Sequence, residues 1–192
     1  MCNWAVFLDR DGVINEEVEY LSSPDQLRLI PGAAEAIHLL NNRCIPAIVV
    51  TNQAGVARGF FSEGRVRQIH QSLSDILAKD GAHIDRFYYC PHHPSAGLGN
   101  YCIKCNCRKP EPGMLLQASI DFSLELSCCY MVGDKISDLR AGQAVNCKSI
   151  LVRTGYGLQS QDVVINLDDK PDYIAENLMS ACQWIIKGSY EK

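Results

Sequence analysis

The sequence lacks a long apolar segment, an excess of basic residues and a high aromatic content. It has 18 lysine and arginine residues against 22 acidic ones, a formal net charge of -4, and 8% aromatic residues. No stretch approaches the roughly 20 apolar residues of a membrane-spanning helix, and the first residues do not follow the pattern of a secretory signal. We therefore expect a cytoplasmic protein that binds neither a membrane nor nucleic acid.

A chain of 192 residues, 47% of them hydrophobic, is long enough to bury one substantial core. The sequence contains no internal repeat, no low-complexity segment and no linker-like stretch. We therefore expect a single domain over residues 1–192. Because no exposed apolar stripe is evident, we expect a monomer whose partner is a small molecule.

Short apolar runs alternate with segments of helical periodicity, which predicts an α/β fold. Strands are predicted at residues 4–8, 45–50, 85–89, 128–132 and 149–152, with a possible short strand at 163–165. Helices are predicted at residues 31–41, 62–81, 113–122, 137–144 and 172–187. Strands that alternate with helices pair in parallel through right-handed crossovers, so the predicted core is a parallel sheet.

The first predicted strand ends in two aspartates, Asp9 and Asp11, followed by Gly12. Taken alone, this sequence could form a solvated turn, because Asp and Gly both favour turns. In an open α/β sheet, however, chemistry collects at the carboxyl ends of the strands. There, one aspartate can act as a nucleophile while the other exchanges a proton with the leaving oxygen.

Further polar residues follow other strands, and each has an ordinary alternative explanation. Thr51 and Asn52 alone could be turn formers, Arg108 and Lys109 a solvated basic pair, and Asp134 half of a surface ion pair. Parallel strands would bring these residues to one rim together with the two aspartates. A carboxylate nucleophile, hydroxyl and amide donors, cations and oxygen ligands for Mg²⁺ are what phosphoryl transfer needs.

The loop at residues 90–109 carries four of the ten cysteines together with two histidines. In a cytoplasmic chain, this clustering favours a metal site over disulfides, and a closed set of four N and S ligands is typical of structural zinc. Spacing alone leaves the ligand set open, because His93 competes with His92, and Cys102 forms a Cys-x-x-Cys pair with Cys105.

Four runs, DRDGVIN, TNQAGVARG, CRKPEPGM and VGDKISD, together resemble the haloacid dehalogenase superfamily in both order and spacing. Within it, the chain resembles the heptose bisphosphate phosphatases and the related histidinol-phosphate phosphatases. The resemblance spans nearly the whole chain. It implies a three-layer, Rossmann-like fold with a central parallel sheet.

The resemblance also implies residue roles. Asp9 would be the nucleophile that forms an aspartyl-phosphate, and Asp11 the general acid and then the general base. Asp9, the backbone carbonyl of Asp11, and Asp134 would hold Mg²⁺. Thr51 and Lys109 would stabilise the phosphoryl group.

For the remaining motif residues, the resemblance implies supporting roles. Lys135 would support the site, and Asp138 would lie beside the magnesium ligands rather than bind the ion directly. The resemblance also selects one ligand set for a structural zinc ion, leaving Cys102 as a spare thiol. That set is Cys90, His92, Cys105 and Cys107.

The spacing leaves no room for a large cap domain, so we expect an open site roofed by residues 15–20 and the zinc loop. Arg108 suits a second anionic group and favours a bisphosphate. The predicted substrate-binding residues are Asp9, Asp11, Gly12, Glu17, Glu19, Tyr20, Thr51, Asn52, Gln53, Arg108, Lys109 and Lys135.

The expected reaction is hydrolysis of the 7-phosphate of a heptose 1,7-bisphosphate for surface glycan synthesis, and the resemblance alone favours the β anomer as substrate. The twelve residues between His92 and Cys105 resemble the heptose enzymes, whereas the histidinol-phosphate enzymes, the main alternative, tend to have fewer. A polynucleotide 3′-phosphatase should show a basic groove. A zinc-stapled binding module without catalysis would not need the four residues Asp9, Asp11, Lys109 and Asp134.

Overall fold

The computed structural model describes residues 3–164 and 170–189. In this part of the chain, six strands form one parallel sheet in the order β3-β2-β1-β4-β5-β6. This confirms the predicted α/β class and the parallel pairing. The strands are β1 (Val6–Leu8), β2 (Ala47–Asn52), β3 (Arg86–Cys90), β4 (Tyr130–Gly133), β5 (Lys148–Val152) and β6 (Tyr173–Ala175).

Helices cover both faces of the sheet and complete three layers. One core cluster joins the sheet to the first, third and last helices, and a second joins its other face to the fourth and fifth. Among the described residues, no helix is long and apolar enough to cross a membrane. The helices are α1 (Ala33–Asn41), α2 (Ala54–Ala57), α3 (Glu63–Lys79), α4 (Gly113–Phe122), α5 (Ile136–Gln143), α6 (Gly157–Val164) and α7 (Leu178–Ser189).

The central strands are largely apolar because both of their faces are buried. In β1, Val6 and Leu8 pack into the cluster that contains α1, α3 and α7, whereas Phe7 packs into the cluster that contains α4 and α5. Successive side chains of a strand point to opposite faces, so a strand covered on both sides reads as a continuous apolar run. This is why the central strands could be recognised from sequence.

The carboxyl-terminal part of the chain differs from the prediction. Residues 172–187 were expected to form one helix, but Tyr173–Ala175 form β6 beside β5, and α7 begins only at Leu178. Asn177 separates the two elements, because its Oδ1 accepts a hydrogen bond of 3.0 Å from the Ser180 amide and so caps the helix.

The strand predicted at residues 163–165 is wrong for the first two of these residues, which belong to α6. Ile165 lies outside the described residues. The apolar pair Val163-Val164 was ambiguous because a short β-branched run also fits the end of a helix.

The sheet order places β1 between β2 and β4, with later strands added on the β4 side. The connections that leave the carboxyl ends of β1 and β4 therefore run in opposite directions, to β2 and to β5, and the crevice between them is where open α/β sheets bind ligands. Residues that follow β1, β2 and β4 meet at this crevice.

Candidate active site

Three buried carboxylates meet at the crevice: Asp9 follows β1, Asp134 follows β4 and Asp138 lies in α5. Each offers an oxygen, and these oxygens all lie within 4.8 Å of one another. All three side chains are buried. We call this group the acidic cluster, and its like charges require compensation because buried carboxylates repel one another and are poorly solvated.

Lys109 supplies part of that compensation. Its Nζ lies 3.0 Å from Asp9 Oδ1 and 2.7 Å from Asp138 Oδ1, and it donates a hydrogen bond of 2.7 Å to the Val50 carbonyl. Burial alone would lower the pKa of Lys109, but the two carboxylates outweigh it and raise that pKa above its ordinary value. Lys109 is therefore a fixed positive charge at the nucleophile's oxygen.

Lys109 does not fully compensate the negative charge of the acidic cluster. Burial raises the pKa of Asp9 to about 6, against the attraction of Lys109. Burial, followed by the charges of Asp9 and Asp138, raises the pKa of Asp134 to about 8. Asp134 Oδ1 is buried without a hydrogen-bond partner among the described residues, while Oδ2 accepts 2.8 Å from the Tyr156 amide. A buried oxygen without a donor, among other carboxylates, fits a hard divalent cation such as Mg²⁺.

Asp138 lies close to the cluster but is already engaged. Its Oδ1 faces Lys109 Nζ, and its Oδ2 accepts 3.0 Å from the Lys135 amide. Both oxygens therefore have a protein partner, and the supporting role of Asp138 stays a prediction. The acidic cluster thus contains one carboxylate that organises the lysine and two that can face an ion.

Asp11 is held in a different way, at the wall of the crevice. The guanidinium of Arg10 donates to both of its oxygens, at 2.8 to 3.1 Å. Asn15 Nδ2 donates to Oδ1 at 2.9 Å and Gln53 Nε2 to Oδ2 at 3.1 Å. Burial would raise the pKa of Asp11, but the charge of Arg10 and these hydrogen bonds hold it below its ordinary value. In this geometry Asp11 is a carboxylate and must acquire a proton before it can act as an acid.

Gly12 is required at the turn between the two aspartates and the rest of the chain. Its φ of 84° lies in the left-handed region, and a Cβ atom there would overlap the Asp134 carboxylate. Its carbonyl accepts a hydrogen bond of 2.6 Å from Thr154 Oγ1. The close approach of the two loops that follow β1 and β5 therefore depends on glycine.

The end of β2 is fixed by side-chain hydrogen bonds. Thr51 is buried, and its Oγ1 accepts 2.9 Å from Gln53 Nε2. Asn52 exchanges two hydrogen bonds with the backbone of Lys109: its Nδ2 donates to the Lys109 carbonyl at 3.0 Å, and its Oδ1 accepts from the Lys109 amide at 3.1 Å. Asn52 therefore fastens the end of the cysteine-rich loop to the sheet.

A cavity of about 320 Å³ opens beside Asp11. It is lined by most of the residues predicted to bind substrate, and Lys135 joins one of them, Glu17, in an ion pair of 2.7 Å. The lining residues are Asp11, Glu17, Val18, Glu19, Tyr20, Leu21, Asn52, Gln53, Ala54, Gly55, Phe61, Lys135 and Tyr156.

The lining residues that were not predicted from sequence include two aromatic ones, Phe61 and Tyr156. Tyr156 follows the end of β5, and the Lys135 ammonium lies 4.6 Å from the centre of its ring. The strand-end rule that found Asp134 would also have found Tyr156 had it been applied to the fifth strand. Phe61 lies between α2 and α3, and we find no sequence signal that would have singled it out.

The structure separates Arg108 from this cavity. Its Nη1 donates to the His92 carbonyl at 3.1 Å, and Arg108 lines a second, smaller cavity of about 180 Å³ on which Lys109 also borders. Arg108 therefore lines a different cavity from Glu17, Glu19 and Tyr20.

The four predicted zinc ligands come together in the loop, with one ligand atom each within 4.8 Å of the others. The three sulfur atoms of Cys90, Cys105 and Cys107 are 3.2 to 3.5 Å apart, too far for a disulfide bond of about 2.05 Å. His92 Nδ1 lies 3.6 Å from Cys107 Sγ. These spacings and this N/S donor set fit a tetrahedral zinc ion. We call this group the Cys/His cluster.

Comparisons with known proteins agree with this geometry. A family model described as HAD-hydrolase-like matches residues 106–181. The chain is 44% identical to D-glycero-beta-D-manno-heptose-1,7-bisphosphate 7-phosphatase from Pasteurella multocida, over 79% of this chain and 82% of the relative. It is 41% identical to D-glycero-D-manno-heptose-1,7-bisphosphate 7-phosphatase from Thermosynechococcus vestitus, over 94% of both chains.

A solved structure supports the same relationship. The D,D-heptose 1,7-bisphosphate phosphatase of B. bronchiseptica, complexed with magnesium and phosphate, superposes with a TM-score of 0.85 at 31% identity. The superposition covers 96% of this chain and 99% of that one. The likeness therefore spans the sheet, both layers of helices and the loops at the crevice.

Proposed function

Because the chain belongs to the D-glycero-D-manno-heptose 1,7-bisphosphate 7-phosphatase family of the haloacid dehalogenase superfamily, we propose that it hydrolyses the 7-phosphate of that bisphosphate. The products are heptose 1-phosphate and inorganic phosphate. The observation that carries the proposal is the contact between Lys109 Nζ and Asp9 Oδ1 at the carboxyl end of β1. It places a fixed cation beside a buried carboxylate that can attack phosphorus.

The first step transfers the phosphoryl group to the protein. An oxygen of Asp9 forms a bond to phosphorus while the bond between phosphorus and the C7 oxygen breaks. The proton carried by Asp11 passes to the departing oxygen, which leaves as the sugar hydroxyl. Lys109 and Thr51 stabilise the charge on the phosphoryl oxygens during the transfer.

The second step regenerates the protein. A water oxygen attacks phosphorus, one of its protons passes to the Asp11 carboxylate, and the bond between phosphorus and Asp9 breaks. The observed state of Asp11, an ionised group with donors on both oxygens, suits this proton-accepting role. The same residue thus serves as acid and then as base.

We assign two metal sites. Asp9, the backbone carbonyl of Asp11, and Asp134 would hold Mg²⁺, which when bound neutralises charge between the carboxylates and the phosphate. Asp134 Oδ1 supports this assignment, because it is buried and accepts no hydrogen bond among the described residues, with the Lys135 ammonium 4.0 Å away. Cys90, His92, Cys105 and Cys107 would hold a structural zinc ion that orders the loop up to Arg108 and Lys109.

The sugar would occupy the 320 Å³ cavity, where Glu17, Glu19 and Tyr20 offer hydrogen bonds to hydroxyl groups. Arg108, with its own cavity beside Lys109, would receive the phosphate that is retained. We further propose the β anomer, which the names of several relatives specify. The reaction would take place in the cytoplasm on a monomer.

The direct test measures phosphate release in Mg²⁺ from both anomers of the heptose bisphosphate and from histidinol phosphate. We expect kcat/KM to be at least about 100-fold higher for one heptose anomer, a difference that several lost polar contacts produce. ³¹P NMR should show that the 1-phosphate remains on the product. A preference for histidinol phosphate, or release of the 1-phosphate, would overturn the proposal.

A further inference from the structure

Arg10 stands between the two aspartates of the first motif and is fully buried. Its neighbours on either side, Asp9 and Asp11, point into the crevice, whereas the Arg10 side chain reaches back to one of them. It is among the largest side chains with no solvent contact in the described chain. A guanidinium in such a position is costly to desolvate unless it has a specific partner.

The partner is Asp11. Arg10 Nε and Nη2 contact Asp11 Oδ1 at 3.1 and 2.9 Å, and Nη2 also contacts Oδ2 at 2.8 Å. A planar guanidinium fixes the plane of the carboxyl group as well as its position, which a lysine ammonium cannot do. Asn15 and Gln53 hold the two oxygens from other directions.

Other groups compete little for the guanidinium. Arg10 Nη1 is buried without a hydrogen-bond partner among the described residues. His70, the nearby titratable group on α3, is kept neutral, because burial and then the charge of Arg10 lower its pKa to about 3. Arg10 Nη1 thus makes no hydrogen bond, while Nε and Nη2 both donate to Asp11.

We propose that Arg10 is a positioning residue that orients the Asp11 carboxyl group for proton transfer to and from the reacting oxygen. This inference rests on the proposed phosphatase chemistry. Arg10 touches neither substrate nor phosphorus and acts only through Asp11. Arg10, Asn15 and Gln53 all donate hydrogen bonds to the Asp11 carboxyl group. The guanidinium sets the plane of this group, whereas Asn15 and Gln53 each fix the position of one oxygen.

The test uses the dependence on the leaving group. Departure of an alkoxide needs a proton from Asp11, whereas 4-nitrophenolate leaves without one. With R10Q, we expect kcat/KM for a primary alkyl phosphate to fall at least about 100-fold, the scale of a lost general acid. For 4-nitrophenyl phosphate, we expect a fall of less than about threefold, because kcat/KM reports only the step that releases the phenolate.

A double-mutant cycle separates positioning from a general structural role. In a D11N background, adding R10Q should cause no further loss with the alkyl phosphate, because the group that Arg10 orients is already disabled. Since Arg10 is buried, R10K provides a second variant that retains the charge, and we expect it to recover little of the loss. R65Q, on the exposed face of α3, is the matched control and should keep wild-type rates.

Equal losses on both phosphates, additive losses in the D11N background, or full recovery in R10K would each overturn the proposal. These measurements use simple phosphates, so they can be read whatever sugar the wild-type protein prefers. A wild-type protein that hydrolyses no phosphate monoester in Mg²⁺ would instead contradict the proposed function itself.

Discussion

The acidic cluster and the Cys/His cluster each gather ligand atoms within the same 4.8 Å, but they are built differently. The carboxylates come from the end of β1 and from a distant segment of the chain, the end of β4 and the adjoining helix α5, and all are buried. The thiols and the imidazole come from two close pairs in one loop, and three of the four are half-buried.

This difference reflects what each cluster has to do. A reacting group must keep its position without the ion, so it is placed on strands whose geometry the sheet fixes. A loop with few apolar residues has no such support and depends on its ion for order. The acidic cluster is held by a buried lysine, Lys109, and lies close to Asp11, which lines the 320 Å³ cavity, whereas the Cys/His cluster has the four N and S donors of a closed site. We therefore assign a catalytic role to the acidic cluster and a structural role to the Cys/His cluster.

The two clusters meet at Lys109. The cysteine-rich loop ends there, Asn52 binds its backbone, and its ammonium group enters the acidic cluster. A substitution in either cluster should therefore alter the geometry of the other through Lys109. We expect the substitutions below to separate catalytic from structural effects, and Lys109 to show both.

The largest expected effect on activity comes from Asp9→Asn, which removes the proposed nucleophile. We expect phosphate release to fall more than about 10⁴-fold, since the loss of a nucleophile removes the whole covalent route. The carboxamide has nearly the same shape, so the midpoint of thermal unfolding should change little. Asp80→Asn, at an exposed position, is the control, and a comparable loss there, or an active D9N variant, would contradict the assignment.

Lys109→Met should damage both activity and stability. It leaves Asp9 and Asp138 without their shared cation, and removing one partner of a buried ion pair costs about 3–5 kcal/mol of unfolding free energy. We expect kcat/KM to fall about 10²- to 10³-fold as well, as when a transition-state donor is lost. Lys104→Met, exposed in the same loop, should leave denaturant unfolding and phosphate release unchanged.

Cys107→Ser should affect stability first. Loss of one zinc ligand should lower the free energy of unfolding by about 2.5 kcal/mol. In a chain of this size, that lowers the midpoint of thermal unfolding by about 5–10 °C, since each kcal/mol shifts it by about 2–4 °C. It should also abolish stoichiometric zinc in metal analysis. Cys102→Ser is a matched control, because Cys102 is exposed in the same loop and lies outside the cluster. Equal effects of the two substitutions would rule out the assigned ligand set.

A smaller effect concerns pH. Without metal, burial and the neighbouring carboxylates raise the pKa of Asp134 to about 8. Between about pH 4 and pH 8 the folded protein therefore holds a proton that the unfolded chain has lost, and its stability falls as the pH rises. Mg²⁺ must displace that proton. Calorimetry should therefore show Mg²⁺ affinity rising by up to about tenfold per pH unit between pH 6 and 8, as one released proton requires. A flat affinity over this range would contradict the role of Asp134.

The sequence was most informative where one physical rule acted alone. The apolar run before Asp9 and the polar residues at the ends of β2 and β4 predicted a parallel sheet with functional residues at one edge. The pairs Cys90–His92 and Cys105–Cys107 predicted the loop cluster, once the resemblance had selected among the candidates. β6 was missed because helical propensity and strand pairing compete in a short segment, and only contact with β5 decides between them.

The features of the site that the sequence left open have a similar cause. The contact of Arg10 with Asp11 depends on which way a buried side chain turns, and the cavity that Arg108 lines depends on how the loop closes around His92. Neither follows from spacing along the chain. Residues whose place is set by the backbone of a strand could be predicted, whereas those set by side-chain packing could not.

The division of labour between the clusters can be tested most directly by exchanging the metal in the Cys/His cluster. Phosphate release at constant Mg²⁺ would be compared for protein carrying one Zn²⁺ and protein carrying one Cd²⁺, with metal content measured for each. The account predicts kcat within about twofold for the two forms, because a closed tetrahedral site offers substrate no open position. A kcat that changes strongly between the Zn²⁺ and Cd²⁺ forms would contradict the account and place the catalytic metal in the Cys/His cluster.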